Sequence, residues 1–455
     1  MIVPFEYPPG HMEIRQLRDR FQSALILENP STRLDEVLEE QGISVERLPE
    51  EATKDRAHVL QRLRLGQHDL LFKRSRFVVD REVLEASPNL AAVMLCCIGD
   101  DSVDKSACAE EGVLVLNDPV SNGRSVAEMV IGEMICLARR IFVAHEAGRE
   151  HLWTKESTGR YELLGRTISV IGLGNIGRQV ARLAESFGMR VVFYDQSAVA
   201  GEVGRAFGWH ECRSLEEAFR MGDVVSLHLS AEDSQGQRNE EIINLEHFRV
   251  LGSDRGDLTP RVFINAARGF LYDPEALRQA LANGFVRAAA VDVFPDEPGS
   301  KNDQWHNPYA DVASVTTTPH IGAATEEAQP RIAEHMAESA ELLNLRGTVR
   351  DTVFRPKLRI DLDAEPGEWA LAVVHSDTRG TKKAIADAIF EAGANNIDST
   401  HHDFPRYGIA YDISALDRPL SQDQLDQLVQ SARQLTGDES AIRSIRQFQV
   451  GGSHQ

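Results

Sequence analysis

Residues 167–195 read TISVIGLGNIGRQVARLAESFGMRVVFYD, and no other stretch restricts the fold of this chain so tightly. A β-branched run, Thr167 to Ile171, leads directly into Gly172, Gly174 and Gly177, then an apolar-periodic helix, then a second strand ending at Asp195. Each glycine answers a physical need. Gly172 makes a tight strand-to-helix turn, Gly174 lets a pyrophosphate approach the backbone, and Gly177 lets the helix pack closely on the sheet. The helix N-terminus behind them offers unpaired N–H groups and a positive dipole end to phosphates. The Asp195 carboxylate can accept hydrogen bonds from both ribose hydroxyls and would repel a 2′-phosphate, which favours NAD over NADP. A glycine turn that binds nothing has no need of this whole strand–turn–helix–strand context with an acid at its end.

At 455 residues the chain is too long for one core, and length alone suggests about three domains. The net charge of −21 argues against nucleic acid or an anionic membrane as a general partner, so an anionic substrate needs a local basic pocket. The five cysteines are odd in number and lack CxxC spacing, which fits the reduced thiols of a cytosol. The start, MIVPFEYPPGHMEIRQLRDR, has no apolar core of a secretion signal, and no run reaches membrane-spanning length. The expectation is a cytoplasmic protein with neither nucleic-acid nor membrane partners.

Residues 1–20 carry prolines and charges without periodicity and read as a loosely ordered lead. From 21 to about 118, short apolar strands (SALILEN, VERLP, DLLFKRS, NLAAVMLCCIG, GVLVLN) alternate with helical patterns, which predicts a parallel sheet. Residues 121–149 read as one long helix, with Ser125 and Glu128 in capping-box spacing. A second alternating region follows, with strands TISVI, RVVFYD, VVSLHL, RVFINAA and AAAVDVF. Asp273-Pro274 and Asn283-Gly284 bracket one helix there, and 325–346 form another. The expected class is α/β with two doubly wound parallel-sheet lobes. A flavodoxin-like substrate lobe takes 21–120 and 321–349, and a Rossmann NAD lobe takes 121–320. Residues 350–368 read as a linker. Beyond it, 369–455 form a β-α-β-β-α-β series of the ferredoxin-like kind, with Ser421 and Gln424 capping its second helix.

Three polar residues stand just after strand ends of the second lobe, where open parallel sheets place their ligands: Arg268 in INAARG, Glu297 in VDVFPDEP and His320 in TTTPHIG. Oxidation of a secondary alcohol by hydride transfer needs a base for the hydroxyl proton, and histidine titrates in the right range. A carboxylate on the other ring nitrogen would orient the imidazole, and an arginine fork can hold a substrate carboxylate.

The order GLGNIGRQVARLAESFGMRVVFYD, VVSLHL, INAARG, AAVDVFPDEP, TPHIGAAT resembles the D-isomer-specific 2-hydroxyacid dehydrogenase family. The pieces FKRSRF, CCIGDDSVDKSA and GVLVLNDPVSNGRSVAEMVIGE resemble its phosphoglycerate-oxidising branch. The resemblance implies an NAD-dependent enzyme in which Arg268 binds the substrate carboxylate and carbonyl, His320 is the acid/base and Glu297 its partner. It places Asn175, Ile176, Asp195, Ala266, Ala267, Arg268, Asp292, His320, Ile321, Gly322 and Ala323 with the glycines at the cofactor. It also leaves two other readings open. One is a smaller 2-hydroxy or 2-oxo acid such as glyoxylate, hydroxypyruvate or 2-oxoglutarate, and the other is an NAD-sensing corepressor-like protein. A homodimer or homotetramer is implied.

The cluster Lys73, Arg74, Arg76 follows a strand at the ligand end of its sheet, and the resemblance assigns Arg74 and Arg76 to the anionic substrate. Asp100 and Asp101 stand in a loop expected to approach the same ligand. A phosphorylated substrate then requires the arginines to dominate or the acids to turn away. The final module resembles serine-sensing ACT domains, which implies an amino-acid effector at His375 and Asn396, or simply a dimerisation sheet. His401 and His402 alternate along a strand and read as surface residues, so no metal site is expected.

Overall fold

The computed structural model describes residues 14–233, 236–298, 303–356 and 358–451. The chain divides into two compact units: 1–119 with 330–455, and 120–329. In the first unit, the strands Ser44–Arg47, Ser23–Ile26, Leu70–Lys73, Ala92–Leu95 and Leu114–Asn117 lie side by side in that order, all parallel. This is the 2-1-3-4-5 order of a flavodoxin-like sheet. Its inner strands are continuous apolar runs because both faces are covered, with Leu25, Ile26, Leu71, Phe72, Val93 and Met94 fully buried. The helix Ala328–Arg346 supplies Ile332, Met336, Ala340 and Leu343 to the same core.

The second unit holds a seven-stranded parallel sheet. Its order is Val315–Thr317, Ala288–Val291, Val262–Asn265, Val224–Leu227, Thr167–Ile171, Arg190–Tyr194, His210–Glu211. The order reverses direction between Thr167–Ile171 and Val224–Leu227, the switch point where such sheets bind ligands. The helix Pro274–Ala282 starts where Asp273-Pro274 predicts, with the Asp273 carboxylate accepting the Glu275 N–H at 2.9 Å.

The C-terminal series is also as the pattern reads. Strands Trp369–Ser376, Asn396–Phe404, Ile409–Leu416 and Ile442–Gln449 alternate with helices Thr381–Glu391 and Gln422–Thr436, and Ser421 and Gln424 close a capping box. One sheet face packs under the helices through Leu371, Val373, Ile385 and Leu428. The other face, with Ala372, Val374, Ile413 and Phe448, shares the core of the flavodoxin-like sheet. The expected separate module therefore lies within the first compact unit.

Four expectations are corrected. Of the loosely ordered lead 1–20, residues 1–13 lie outside the described residues, but Arg15–Gln16 form a strand parallel to Ile442–Gln449. The buried Arg15 guanidinium donates to the carbonyls of Ser87 and Leu84 and pairs with Glu111 at 3.1 Å. No periodicity announces such an edge strand, because its partners lie in distant parts of the chain. The single helix 121–149 is two, Gly123–Arg139 and Ile141–Arg149, broken where Arg140 takes a left-handed conformation at φ 53°. The first half packs Val126, Val130, Met134 and Leu137 into the core; the second buries no residue. Ser125 sits inside the helix and meets Thr325 Oγ1 at 3.0 Å instead of capping it. Finally, the linker 350–368 contains the strand Arg359–Ile360, paired antiparallel with Val349–Arg350, and buries Ile360 and Leu362 in the core.

Candidate active site

The turn after Thr167–Ile171 has the geometry its glycines predict. Gly172 adopts φ +93°, and a Cβ there would lie 2.6 Å from the His228 carbonyl oxygen on the neighbouring strand's exit. A Cβ on Gly177 would sit 2.1 Å from the Gly172 oxygen, so helix and turn touch backbone to backbone. At Gly174 the same construction meets nothing within 4 Å, so the backbone there has room for a close-fitting ligand. The helix Asn175–Ser186 begins at that point, with no side chain capping its first N–H groups. Asp195 fastens the turn: its carboxylate accepts the N–H groups of Leu173 and Ser197, each at 2.7 Å. The residues present fit a dinucleotide: open space at the Gly174 backbone, a helix N-terminus without a side-chain cap and a carboxylate at the end of the second strand.

At the carboxyl ends of the sheet's other strands, the three predicted polar residues come together. His320 has a left-handed backbone, φ 52°, held by its N–H donating to the Asp292 and Thr318 carbonyls at 2.8 and 3.0 Å. Its Nδ1 lies 2.7 Å from Glu297 Oε2, and the other Glu297 oxygen accepts the Phe294 N–H at 3.1 Å. Among the described residues its Nε2 takes no hydrogen bond. Burial pushes the His320 imidazolium down, but the hydrogen bond and charge of Glu297, with Asp292 behind, overcome it and hold the ring above the usual histidine range. Burial alone would raise Glu297. The His320 contact, the Phe294 N–H and the Arg268 charge outweigh it and leave this carboxyl below its ordinary value. The Arg268 guanidinium thus acts electrostatically on both partners.

The Arg268 turn is itself built by Asn265, which sequence reasoning missed. Buried at the end of its strand, Asn265 accepts the Ala267 N–H at 3.0 Å and donates to the Arg268 carbonyl at 2.9 Å. Gly269 follows, where a Cβ would overlap the Phe294 backbone at 2.0 Å, so this turn and the loop bearing Glu297 lie in contact. Asp292 is buried and anchors the segment beyond His320. It accepts from Thr318 Oγ1 at 2.6 Å and from the N–H groups of Ile321 and Gly322 at 2.8 and 2.9 Å. Burial still pushes its carboxyl up. Glu133, on the helix Gly123–Arg139, was also missed. It is buried, neither carboxyl oxygen has a hydrogen-bond partner among the described residues, and burial plus the charge of Asp292 push it up to about 8. No local pattern marks it, since its burial is set by packing.

In the first unit, the basic cluster separates. Lys73 is fully buried, with Nζ 2.5 Å from Ser102 Oγ, so it is no part of a solvated loop. The Glu28 carboxylate accepts the N–H groups of Arg74, Arg76 and Phe77, each at 2.6 Å, and so shapes the loop carrying both arginines. Arg74 is partly exposed, and Arg76 is exposed and pairs with Glu50 at 3.2 Å. Asp100 is held by Lys105 at 3.0 Å, which neutralises one of the two acids in its loop.

In the C-terminal sheet, His375 and Asn396 are not brought together within the chain. His375 pairs across from Ala410, whereas Asn396 pairs across from Leu416, six residues along the same strand and about 20 Å away. His401 is not the surface residue expected: it is partly buried and contacts Asp412, because the edge strand turns that face toward the sheet's polar interior.

Residues 131–322 match the NAD binding domain of the D-isomer specific 2-hydroxyacid dehydrogenases. The D-3-phosphoglycerate dehydrogenase of Haemophilus influenzae is 36% identical over 322 residues, 71% of this chain and 75% of that protein. A Schizosaccharomyces pombe protein provisionally named D-3-phosphoglycerate dehydrogenase is 32% identical over 419 residues, 90% of this chain and 85% of that one. Among solved structures, a glyoxylate reductase from Paecilomyes thermophila superposes with a TM-score of 0.62 at 25% identity, covering 73% of this chain and 98% of that one. With the dinucleotide turn and the Arg268, Glu297, His320 constellation in place, the chain belongs to the D-isomer specific 2-hydroxyacid dehydrogenase family and is an NAD-dependent enzyme of that class.

Proposed function

We propose that the enzyme oxidises D-3-phosphoglycerate to 3-phosphohydroxypyruvate, the step that opens serine biosynthesis. The observation that carries the chemistry is the 2.7 Å contact between His320 Nδ1 and Glu297, which presents Nε2 as the proton acceptor. Arg268 holds the substrate carboxylate beside the reacting carbon, and its fixed charge favours the developing carbonyl oxygen. His320 takes the C2 hydroxyl proton, and Glu297 stabilises the imidazolium that forms. The residues that would hold NAD are Gly172, Gly174, Asn175, Ile176, Gly177, Asp195, Ala266, Ala267, Asp292 and the segment Ile321–Ala323. NAD supplies the hydride acceptor when bound. Arg74 and Arg76 carry the phosphate, supported by the loop that Glu28 fixes and by the pairing of Asp100 with Lys105. The C-terminal module acts in regulation or oligomerisation, with an amino-acid effector as its ligand.

One observation favours a smaller, unphosphorylated 2-oxo acid instead: the Arg76 guanidinium already pairs with Glu50. Turnover across phosphorylated and unphosphorylated 2-oxo acids at fixed NADH separates the readings. Arg76→Ala should raise KM for phosphohydroxypyruvate about tenfold or more and leave that for glyoxylate unchanged. Equal effects on both, or no turnover of the phosphorylated acid, would overturn the assignment.

A further inference from the structure

His375, His401 and Asp412 form a cluster that the dehydrogenase chemistry does not use. The three lie on neighbouring strands of the C-terminal sheet, with His401 directly across from Asp412 and His375 two residues beyond Val373, Asp412's partner on the other side. Because side chains alternate along strands, all three project from one face. A single oxygen, Asp412 Oδ2, is 2.9 Å from both His375 Nε2 and His401 Nδ1, and the donor atoms all lie within 4.8 Å of one another.

Proton bookkeeping makes this cluster unusual. His375 Nδ1 is 2.8 Å from the Ser376 carbonyl oxygen, which can only accept, so Nδ1 carries a hydrogen. In a neutral ring Nε2 is then a bare lone pair, yet it faces a carboxylate oxygen in a site where His375 is 1% exposed. A cation held between the three donors removes the conflict, because His375 Nε2, His401 Nδ1 and Asp412 Oδ2 would each turn a lone pair to it. An imidazole that gives its second N–H to a backbone carbonyl has the orientation typical of a metal ligand.

From this arrangement we infer that His375, His401 and Asp412 bind a divalent first-row transition ion of the zinc class. Two imidazoles and one carboxylate suit such an ion, with bonds of about 2.0–2.2 Å and donors therefore about 3.3 Å apart. The two 2.9 Å separations need to open by only about half an ångström. His401, 24% exposed on its side chain, provides the entry side, where water completes the coordination. Binding fastens three strands of the module together at a point remote in sequence from the hydride-transfer residues.

The full-length chain, stripped with chelator, should take up one equivalent of Zn²⁺ in equilibrium dialysis, and its unfolding temperature should rise with added Zn²⁺. His401→Ala changes a partly exposed edge-strand residue and should fold, as far-ultraviolet circular dichroism would verify. It should weaken zinc binding by more than the roughly 10–100-fold that loss of an outer partner costs, and it should abolish the thermal shift. If the parent takes up no zinc at about 100 μM, or if His401→Ala and His401→Ala with Asp412→Asn keep the same stoichiometry and affinity, the inference fails. The cluster would then be a hydrogen-bonded group of two histidines on one carboxylate.

Discussion

Two histidines in this chain lean on carboxylates at nearly equal distances, His320 on Glu297 at 2.7 Å and His375 on Asp412 at 2.9 Å. Their surroundings differ completely. The His320 side chain is 46% exposed, stands at a strand exit with strained backbone, and has only its Nδ1 engaged among the described residues. His375 is sealed mid-sheet with both nitrogens engaged. A carboxylate partner alone therefore does not make a histidine catalytic. Catalysis is proposed for His320 because its Nε2 takes no hydrogen bond among the described residues, whereas both His375 nitrogens are engaged.

The sharpest way to break the comparison is to remove each ring's partner set in turn. His320→Ala should cost about 10²–10⁴-fold in turnover while leaving the unfolding midpoint unchanged, since little packing is lost. Asp412→Ala should do the reverse in kind, lowering stability in denaturant by about 3–5 kcal/mol, because a buried partner is removed from two imidazoles. If His320→Ala unfolds the protein, or Asp412→Ala leaves its stability intact, the division between open and sealed sites is wrong.

Glu133 sharpens the contrast further, as a buried acid with no hydrogen-bond partner among the described residues. Its folded value near 8 lies above that of an unfolded glutamate, so between about pH 4.5 and 8 the folded state binds the extra proton. Its stabilising contribution is complete at low pH and falls as pH rises through 8. Glu133→Gln should flatten that slope, by a few kcal/mol at most between pH 5 and 9, as measured by urea unfolding across the range. An unchanged slope would count against the buried neutral acid.

The smallest expected effect is Glu297→Gln. Without the carboxylate the His320 imidazolium loses its main support, so its pKa falls. Oxidation needs the unprotonated ring, so the rising limb of the oxidation pH profile should move to lower pH, with maximal turnover down about tenfold. A limb that stays in place would mean that Glu297 positions the ring without tuning it.

The extent to which the sequence was legible follows the range of the forces involved. Arg268, Glu297 and His320 were readable as candidates because each follows a strand whose apolar run is local, and parallel sheets gather strand ends on one side. Asn265 and Glu133 were not, because an asparagine or glutamate in an apolar context carries no sign of whether packing will bury it. The same holds for Arg15, whose strand pairs with Ile442–Gln449 and whose guanidinium is received by distant carbonyls and Glu111.

Sequence by itself determined the two parallel sheets, the dinucleotide turn, the C-terminal β-α-β-β-α-β series and the residues proposed for hydride transfer. These rest on periodicity and turn chemistry that neighbouring residues impose on each other. Tertiary structure alone decided the break at Arg140, the sealing of Lys73 and Glu133, the edge strand at Arg15 and the meeting of His375 and His401 on one carboxylate. Each depends on which surfaces close over a polar group, and that is fixed by contacts between segments far apart along the chain.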